Sequence, residues 1–321
     1  MNVIECGIVN EYLQYMRAVR RVSDNTYDAY NNDMFQFVNY CNNHGIEPEK
    51  AESCQVQSFI ADLSAEKRAP SSVNRALSSV RGFYRWMVRL EKRVDNPCGN
   101  LKNVRTPQTL PSVLWEKEMA SFAQLPDTAG ILWPERDKAL IMLMYSAGLR
   151  ISEIVSLTMG NLLDNGECAR VIGKGGKERY VFFSEEGRAA LDEYLPQREI
   201  KIKQAGIHGA AMNGALIISQ NGRPISVPGV RWIIYEYARR SGIEKNIHPH
   251  SLRHTFATHL VNKGCDVRVV QELLGHSCIS TTQRYTHVNK DGLKKVYAKT
   301  HPHGAKRGKI NGTKVNGGTK I

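Results

Sequence analysis

The chain has 321 residues, with 44 Lys and Arg against 31 Asp and Glu, a formal net charge of +13. Its 41% apolar and 23% charged content is that of a globular chain rather than a disordered one, and the length suits two domains with separate cores. Three classes are excluded: no stretch approaches the ~18 apolar residues of a membrane span, MNVIECGIVNEY lacks the pattern of a secretion signal, and seven scattered cysteines without a CxxC pair argue against a disulfide framework or a cysteine zinc site. A reducing cytoplasm fits what is left.

The first hundred residues read as four helices. Ile4 to Arg21 carry apolar residues at helical spacing, and Ser23 and Asp24 offer an N-cap before Tyr27 to Cys41. A turn at His44–Pro48 leads to a helix near Gln55–Leu63. Pro70-Ser71-Ser72 then starts a fourth that runs to about Leu90. Residues 95–112, DNPCGNLKNVRTPQTLPS, hold three prolines and no period, and read as a linker.

The remainder is mixed. Asp137 to Tyr145 is expected to be a buried helix ending at Ala147-Gly148, followed by a helix over Ile151–Leu157. Ala169 to Phe183 alternates as two strands around Gly173-Lys174-Gly175-Gly176, a hairpin. Helices are expected at about 185–204, 228–241, 251–263, 266–274 and 279–287, and the Gly/Lys/Asn-rich tail from Gly304 is expected to be disordered. The fold class is therefore mainly α with a small β-sheet. Its divisions are a helical domain over 1–94, a linker over 95–112, a mixed, mostly helical domain over 113–303 and a basic tail over 304–321.

The charge is unevenly spread. Residues 1–66 are net −6, whereas residues 67–105 hold ten Lys and Arg against Glu91 and Asp95 alone, a net of +8. Arg81, Arg85, Arg89 and Lys92 recur at spacings of four, four and three, one stripe of a helix with no interleaved Glu. Such a stripe suits a polyanion, because each cation that neutralises a phosphate releases a counterion. The bland alternative is a solvated helix face.

Three segments of the second domain carry the chemistry: SAGLRISEI with Arg150, HPHSLRHTFATHL with His250 and Arg253, and LLGHSCISTTQRYTHV with His276 and Tyr285. Each has a bland reading when taken alone. Arg150, for example, could simply pair with Glu153 one turn later. His250 and His254 at i, i+4 invite a metal, but Arg253 between them is a poor neighbour for one and no third ligand follows. GKGGK at 173–177 fails the phosphate-loop pattern and sits on a hairpin tip.

Taken together, the residues suit breaking a DNA phosphodiester without metal or other cofactor. Arg150 and Arg253 can hold the charge that grows on the nonbridging oxygens. Tyr285 can attack, since an electropositive neighbourhood favours ionisation of a hydroxyl whose ordinary pKa is about 10. Lys174 on a flexible tip can protonate the departing 5′-oxygen.

The order Arg–Lys–His-x-x-Arg–His–Tyr resembles the tyrosine recombinases, and the detail is most similar to the bacterial Xer-type chromosome-dimer resolvases. SDNTYDAYNNDMFQF, NPCGNLKNVRTPQTLPSVL, SAGLRISEIVSLT, VIGKGGKERYV, HPHSLRHTFATHL, VVQELLGHSCISTTQRYTHV and KVYAKTHPH resemble that family's segments in order. The resemblance implies a SAM-like core-binding domain before the catalytic domain. It implies that Arg150 and Arg253 clamp the phosphate, Lys174 is the general acid, His250 is the base or proton-sharing partner and His276 is a phosphate hydrogen-bond donor. Tyr285 would then form a 3′-phosphotyrosine link. Lys177 competes with Lys174 for the acid role.

The resemblance also implies partners: a duplex recombination site, a tetramer of one recombinase or two, and an accessory DNA translocase, with no membrane involved. The segment after Tyr285 is expected to dock onto a neighbouring subunit. The alternatives are an integrase of a phage or mobile element and, further off, a type IB topoisomerase-like enzyme.

Overall fold

In the computed structural model, residues 6–106, 112–129, 131–173, 176–206, 214–275 and 290–302 are described. The chain divides into two compact units, residues 1–109 and 110–321.

The first unit is a four-helix arrangement: α1 (Gly7–Ala18), α2 (Asp24–Asn43), α3 (Ser53–Ala65) and α4 (Pro70–Arg89). Local signals explain two of the starts. Ser23 Oγ accepts from the Thr26 amide at 3.4 Å, and Pro70 occupies the first turn of α4. The core is aromatic, with Tyr12, Phe37, Phe59, Phe83 and Tyr84 nearly inaccessible to water. Phe37 meets Phe59 edge-on at 5.2 Å between ring centres. The buried Asp33 carboxylate of α2 is held by Arg75 and Ser79 of α4, at 2.9 and 2.8 Å.

The first part of the expected linker is folded onto this unit. Arg81 Nη2 donates to Leu101 O at 2.6 Å, Asn74 and Val104 exchange two hydrogen bonds, and Cys98 is fully buried. Proline and polar content erased the periodic signal there, but backbone carbonyls met by α4 side chains do the anchoring.

The second unit is built around α6 (Pro134–Ser146), buried on nearly every side from Ala139 to Ser146. Around it lie α5 (Glu116–Ala129), α7 (Ile151–Ser156), α8 (Glu185–Ala205), α9 (Val227–Arg240), α10 (Pro249–Asn262), α11 (Val267–Leu274) and α12 (Lys290–Thr300). Strands β2 (Cys168–Ile172) and β3 (Glu178–Phe182) form the expected antiparallel hairpin, with Ala169 opposite Val181 and Ile172 opposite Glu178. The two-residue β1 (Leu162–Leu163) adds a third strand that is too short to leave a pattern. Helices α5 and α12 were not expected: Pro126 interrupts the first, and Gly292 with four lysines dilutes the second. α12 packs on its own unit, with Leu293 and Tyr297 buried and Tyr297 Oη donating to Ser146 O at 3.0 Å. The helix expected at 279–287 and the tail lie outside the described residues. Among those residues no helix is long and apolar enough to cross a membrane.

Candidate active site

The site starts with a turn. After α6 the chain reverses at Gly148, whose φ is +56°; a Cβ there would lie 2.5 Å from Phe256 and 2.9 Å from Leu274. Only glycine fits both the conformation and the space. Two residues later Arg150 takes the N-cap position of α7. Its backbone N–H donates to Glu153 Oε2 at 2.8 Å, and its Nη1 donates to Oε1 of the same carboxylate at 2.7 Å.

Glu153 gathers two more arginines. Arg179, on β3, forms a two-pronged bond to it at 2.7 and 2.9 Å, and Arg253 of α10 brings Nη1 to 3.9 Å. The carboxylate is 3% exposed. Burial alone would raise its pKa, but the bonds and charge of Arg179, followed by the bonds from Arg150, hold it at about 2. It is ionised at any physiological pH. One negative charge therefore faces three positive ones, which leaves an excess of two.

The same guanidiniums close the end of α11. Arg179 Nε donates to Leu273 O at 3.0 Å, Arg253 Nη2 to Leu274 O at 2.6 Å and Arg150 Nη2 to Gly275 O at 3.3 Å. Arg253 Nη1 also reaches Gly148 O at 2.5 Å. Carbonyls at a helix C-terminus carry partial negative charge and lack intrahelical partners, so cations suit them. Gly275 has φ +65°, and a Cβ there would sit 2.9 Å from Arg179 Cδ. The chain thus leaves α11 directly over the arginine cluster.

Access differs between the arginines. The Arg150 side chain is 26% exposed, whereas that of Arg253 is 8% exposed. Burial, then the neighbouring charge of Arg150, pushes Arg253 down to about 10, so it keeps its charge at neutral pH. The hairpin closes beside them: a Cβ on Gly173 would lie 3.8 Å from Arg150 Nη1. His250 lies on the first turn of α10, one turn before Arg253, and is exposed. Loss of water from part of its ring, then the charges of His248, His254, Arg253 and Arg231, lower its pKa, which favours the neutral, proton-accepting form.

Of the six sequence-read catalytic residues, the structure brings Arg150 and Arg253 onto one carboxylate, with His250 a turn away. Lys174, His276 and Tyr285 lie outside the described residues. Arg179 was missed. The available signal was an arginine at the start of β3, followed by the buried Val181 two positions on. The bland reading of Arg150, a pair with Glu153, is what the structure shows, and the paired side chain stays 26% exposed.

The basic stripe is divided. Arg81 is committed to the carbonyls of Cys98 and Leu101, and Lys92 pairs with Glu11 at 2.6 Å. Arg85 and Arg89 are exposed and make no ion pair or hydrogen bond through their side chains with the described residues.

Two family models match the chain: the phage integrase family over residues 113–291, and the phage integrase N-terminal SAM-like domain over residues 9–91. The chain belongs to the phage integrase family. It is 38% identical over 301 residues to the tyrosine recombinase XerC of Treponema denticola, covering 92% of this chain and 99% of that one. Tyrosine recombinase XerC of Staphylococcus epidermidis is 35% identical over 304 residues, covering 94% and 99%. Relatives at this level over the whole length make this member of the family a tyrosine recombinase. A solved structure of the Tn1549 transposon integrase in complex with circular intermediate DNA shares the fold, with a TM-score of 0.67 at 18% identity, covering 91% of this chain and 99% of that one.

Proposed function

We propose that this chain is a cytoplasmic, site-specific recombinase that cuts and rejoins duplex DNA through a 3′-phosphotyrosine on Tyr285, without metal or ATP, and resolves chromosome or plasmid dimers. The observation that carries the reading is the cluster of Arg150, Arg179 and Arg253 around a single ionised Glu153, with the Arg150 side chain open to solvent. An arriving phosphodiester supplies the anion that the excess charge lacks.

In the proposed reaction, Arg150 and Arg253 take the nonbridging oxygens, and His276 adds a hydrogen bond. The Tyr285 hydroxyl attacks phosphorus as its proton passes to His250. The phosphorus–5′-oxygen bond breaks as Lys174 delivers a proton to that oxygen. The phosphotyrosine bond conserves the energy of the broken one, so another 5′-hydroxyl reverses the step. The assembly proposed is a tetramer on two sites, of this chain alone or with a second recombinase, under an accessory DNA translocase.

The test is a denaturing gel of chain mixed with a nicked, labelled duplex bearing its recombination site, in excess EDTA. A covalent protein–DNA adduct is expected at close to the rate seen with Mg²⁺. An adduct that forms only when a divalent ion is restored overturns the metal-free mechanism.

A further inference from the structure

The chain enters the second unit through residues 112–115, which precede α5, and side chains from other elements hold it there. Leu114 is 1% exposed. Each polar atom of the two peptide groups that flank it meets a side chain. Lys245 Nζ donates to Val113 O at 2.9 Å, and the Leu114 N–H donates to Thr255 Oγ1 at 3.0 Å. His259 Nε2 meets Leu114 O at 2.8 Å, and the Trp115 N–H donates to Glu118 Oε2 at 2.6 Å. Buried peptide groups outside helices and strands need such partners. Thr255 and His259 supply them from α10, the helix of His250 and Arg253.

The proton on His259 follows from its neighbours. Leu114 O can only accept, so Nε2 carries the proton. Nδ1 faces Tyr145 Oη of α6 at 2.8 Å. Burial pushes the Tyr145 hydroxyl well above its usual pKa, so it keeps its proton, and in the neutral ring Nδ1 accepts from it. One run of hydrogen bonds thus joins α6, α10 and the entry segment.

At roughly 100° per residue, Thr255 and His259 lie on the side of α10 opposite Arg253. Arg253 is fixed on its own side by Gly148 O and Leu274 O at 2.5 and 2.6 Å. His259 stands about 9 Å further along the axis, less than two turns, and a helix is stiff over that length. α10 therefore has the arginine cluster on one side and the entry segment on the other.

We infer that His259, Thr255 and Lys245 are positioning residues that make the entry segment and α10 one body, so that the path of the chain arriving from the first unit sets where Arg253 stands. Strain in the connection between the units is thereby passed to the phosphate clamp. The inference rests on the recombinase reading for the task of Arg253, whereas the linkage itself rests on the hydrogen bonds.

The test uses the full chain and the labelled, nicked duplex, and reads the unfolding midpoint, the duplex affinity and the rate of adduct formation at saturating DNA. His259→Ala is expected to hold affinity within about twofold and to slow the adduct about tenfold or more, because misplacing a positioned group costs rate rather than binding. His259→Gln keeps a donor near the place of Nε2 and is expected to recover most of that rate. Lys245→Met changes a side chain that is 29% exposed, and is expected to show a smaller slowing at unchanged affinity. A Gly-Gly insertion after Thr109 slackens the connection. On that background both variants are expected to cost little more, whereas a merely structural role would multiply the losses. Multiplied losses, a wild-type rate in His259→Ala, or a folded His259→Gln no faster than His259→Ala overturns the linkage. If His259→Ala does not fold, Lys245→Met decides in its place, and a wild-type rate there overturns the linkage. If the wild type forms no adduct, the recombinase reading falls and amide exchange judges the linkage. Lys245→Met is then expected to speed exchange in residues 113–118 and in α10 together, and faster exchange in 113–118 alone overturns it.

Discussion

Arg179 and Glu153 lie twenty-six residues apart in the chain and meet through two parallel hydrogen bonds of 2.7 and 2.9 Å in the interior of the second unit. The pair joins three elements. Arg179 belongs to β3, Glu153 to α7, and Arg179 Nε holds Leu273 O at the end of α11. Arg150 hangs on the same carboxylate, so the proposed phosphate clamp, the hairpin of β2 and β3 and the end of α11 share one anchor.

Glu153→Gln is therefore expected to destabilise the protein by about 3 kcal/mol, because it strands buried guanidiniums that have lost their counter-charge. Chemical denaturation followed by circular dichroism measures it. Adduct formation is expected to fall more steeply than duplex binding, since Arg150 loses its aim while surface phosphate contacts persist. A variant as stable as the wild type would show that the arginines are satisfied by the carbonyls alone.

The pH dependence follows with a definite sign. A carboxyl held at about 2 when folded, against an ordinary 4.5, contributes its full stabilisation above pH 4.5. As the pH falls from there toward 2, the unfolded chain takes up the proton first and the contribution drains away. Wild type is expected to lose more stability between pH 5 and pH 2 than Glu153→Gln does, in parallel denaturation series. Equal losses would place the acid sensitivity in other carboxyls.

Arg81 and Arg85, one turn apart on α4, are expected to behave oppositely. Arg81 holds two backbone carbonyls of the segment after α4, so Arg81→Ala should cost about 1–3 kcal/mol of stability and leave the salt slope of duplex binding unchanged. Arg85 makes no such bond, so Arg85→Ala should leave stability within about 0.5 kcal/mol and lower the slope. A lowered slope in Arg81→Ala at unchanged stability would restore the four-residue stripe.

The contrast shows what is legible in a sequence. Ser23, Pro70 and the alternation of residues 169–183 act on their immediate neighbours, so α2, α4 and the hairpin can be read from them. Arg150, His250 and Arg253 stand out because their types and order suit phosphoryl chemistry. Arg179 does not: its partners are Glu153 and Leu273, set by the fold rather than by spacing. Arg81 and Arg85 look alike as letters, and only the path of residues 98–101 separates a structural arginine from a free one. α5 stayed hidden because Pro126 lies inside it and mimics a break.

The proposed roles of Tyr285 and Lys174 can be separated by changing the leaving group. Tyr285→Phe removes one hydroxyl and hardly alters shape or charge, so it is expected to abolish the adduct while duplex affinity stays within about twofold. Lys174→Ala is expected to lose cleavage of ordinary DNA by about a hundredfold or more, the usual worth of a positioned general acid. On a duplex with a 5′-bridging sulfur at the scissile position, the departing thiolate needs little protonation, and Lys174→Ala should cleave at near the wild-type rate. Arg150→Ala should not recover, because its missing contact is to the nonbridging oxygens, which sulfur at the bridge leaves unchanged. The readout is labelled DNA retained by protein on a denaturing gel. An adduct in Tyr285→Phe would move the nucleophile elsewhere. Failure of Lys174→Ala on the sulfur substrate would pass the acid role to Lys177, which is exposed at the same hairpin.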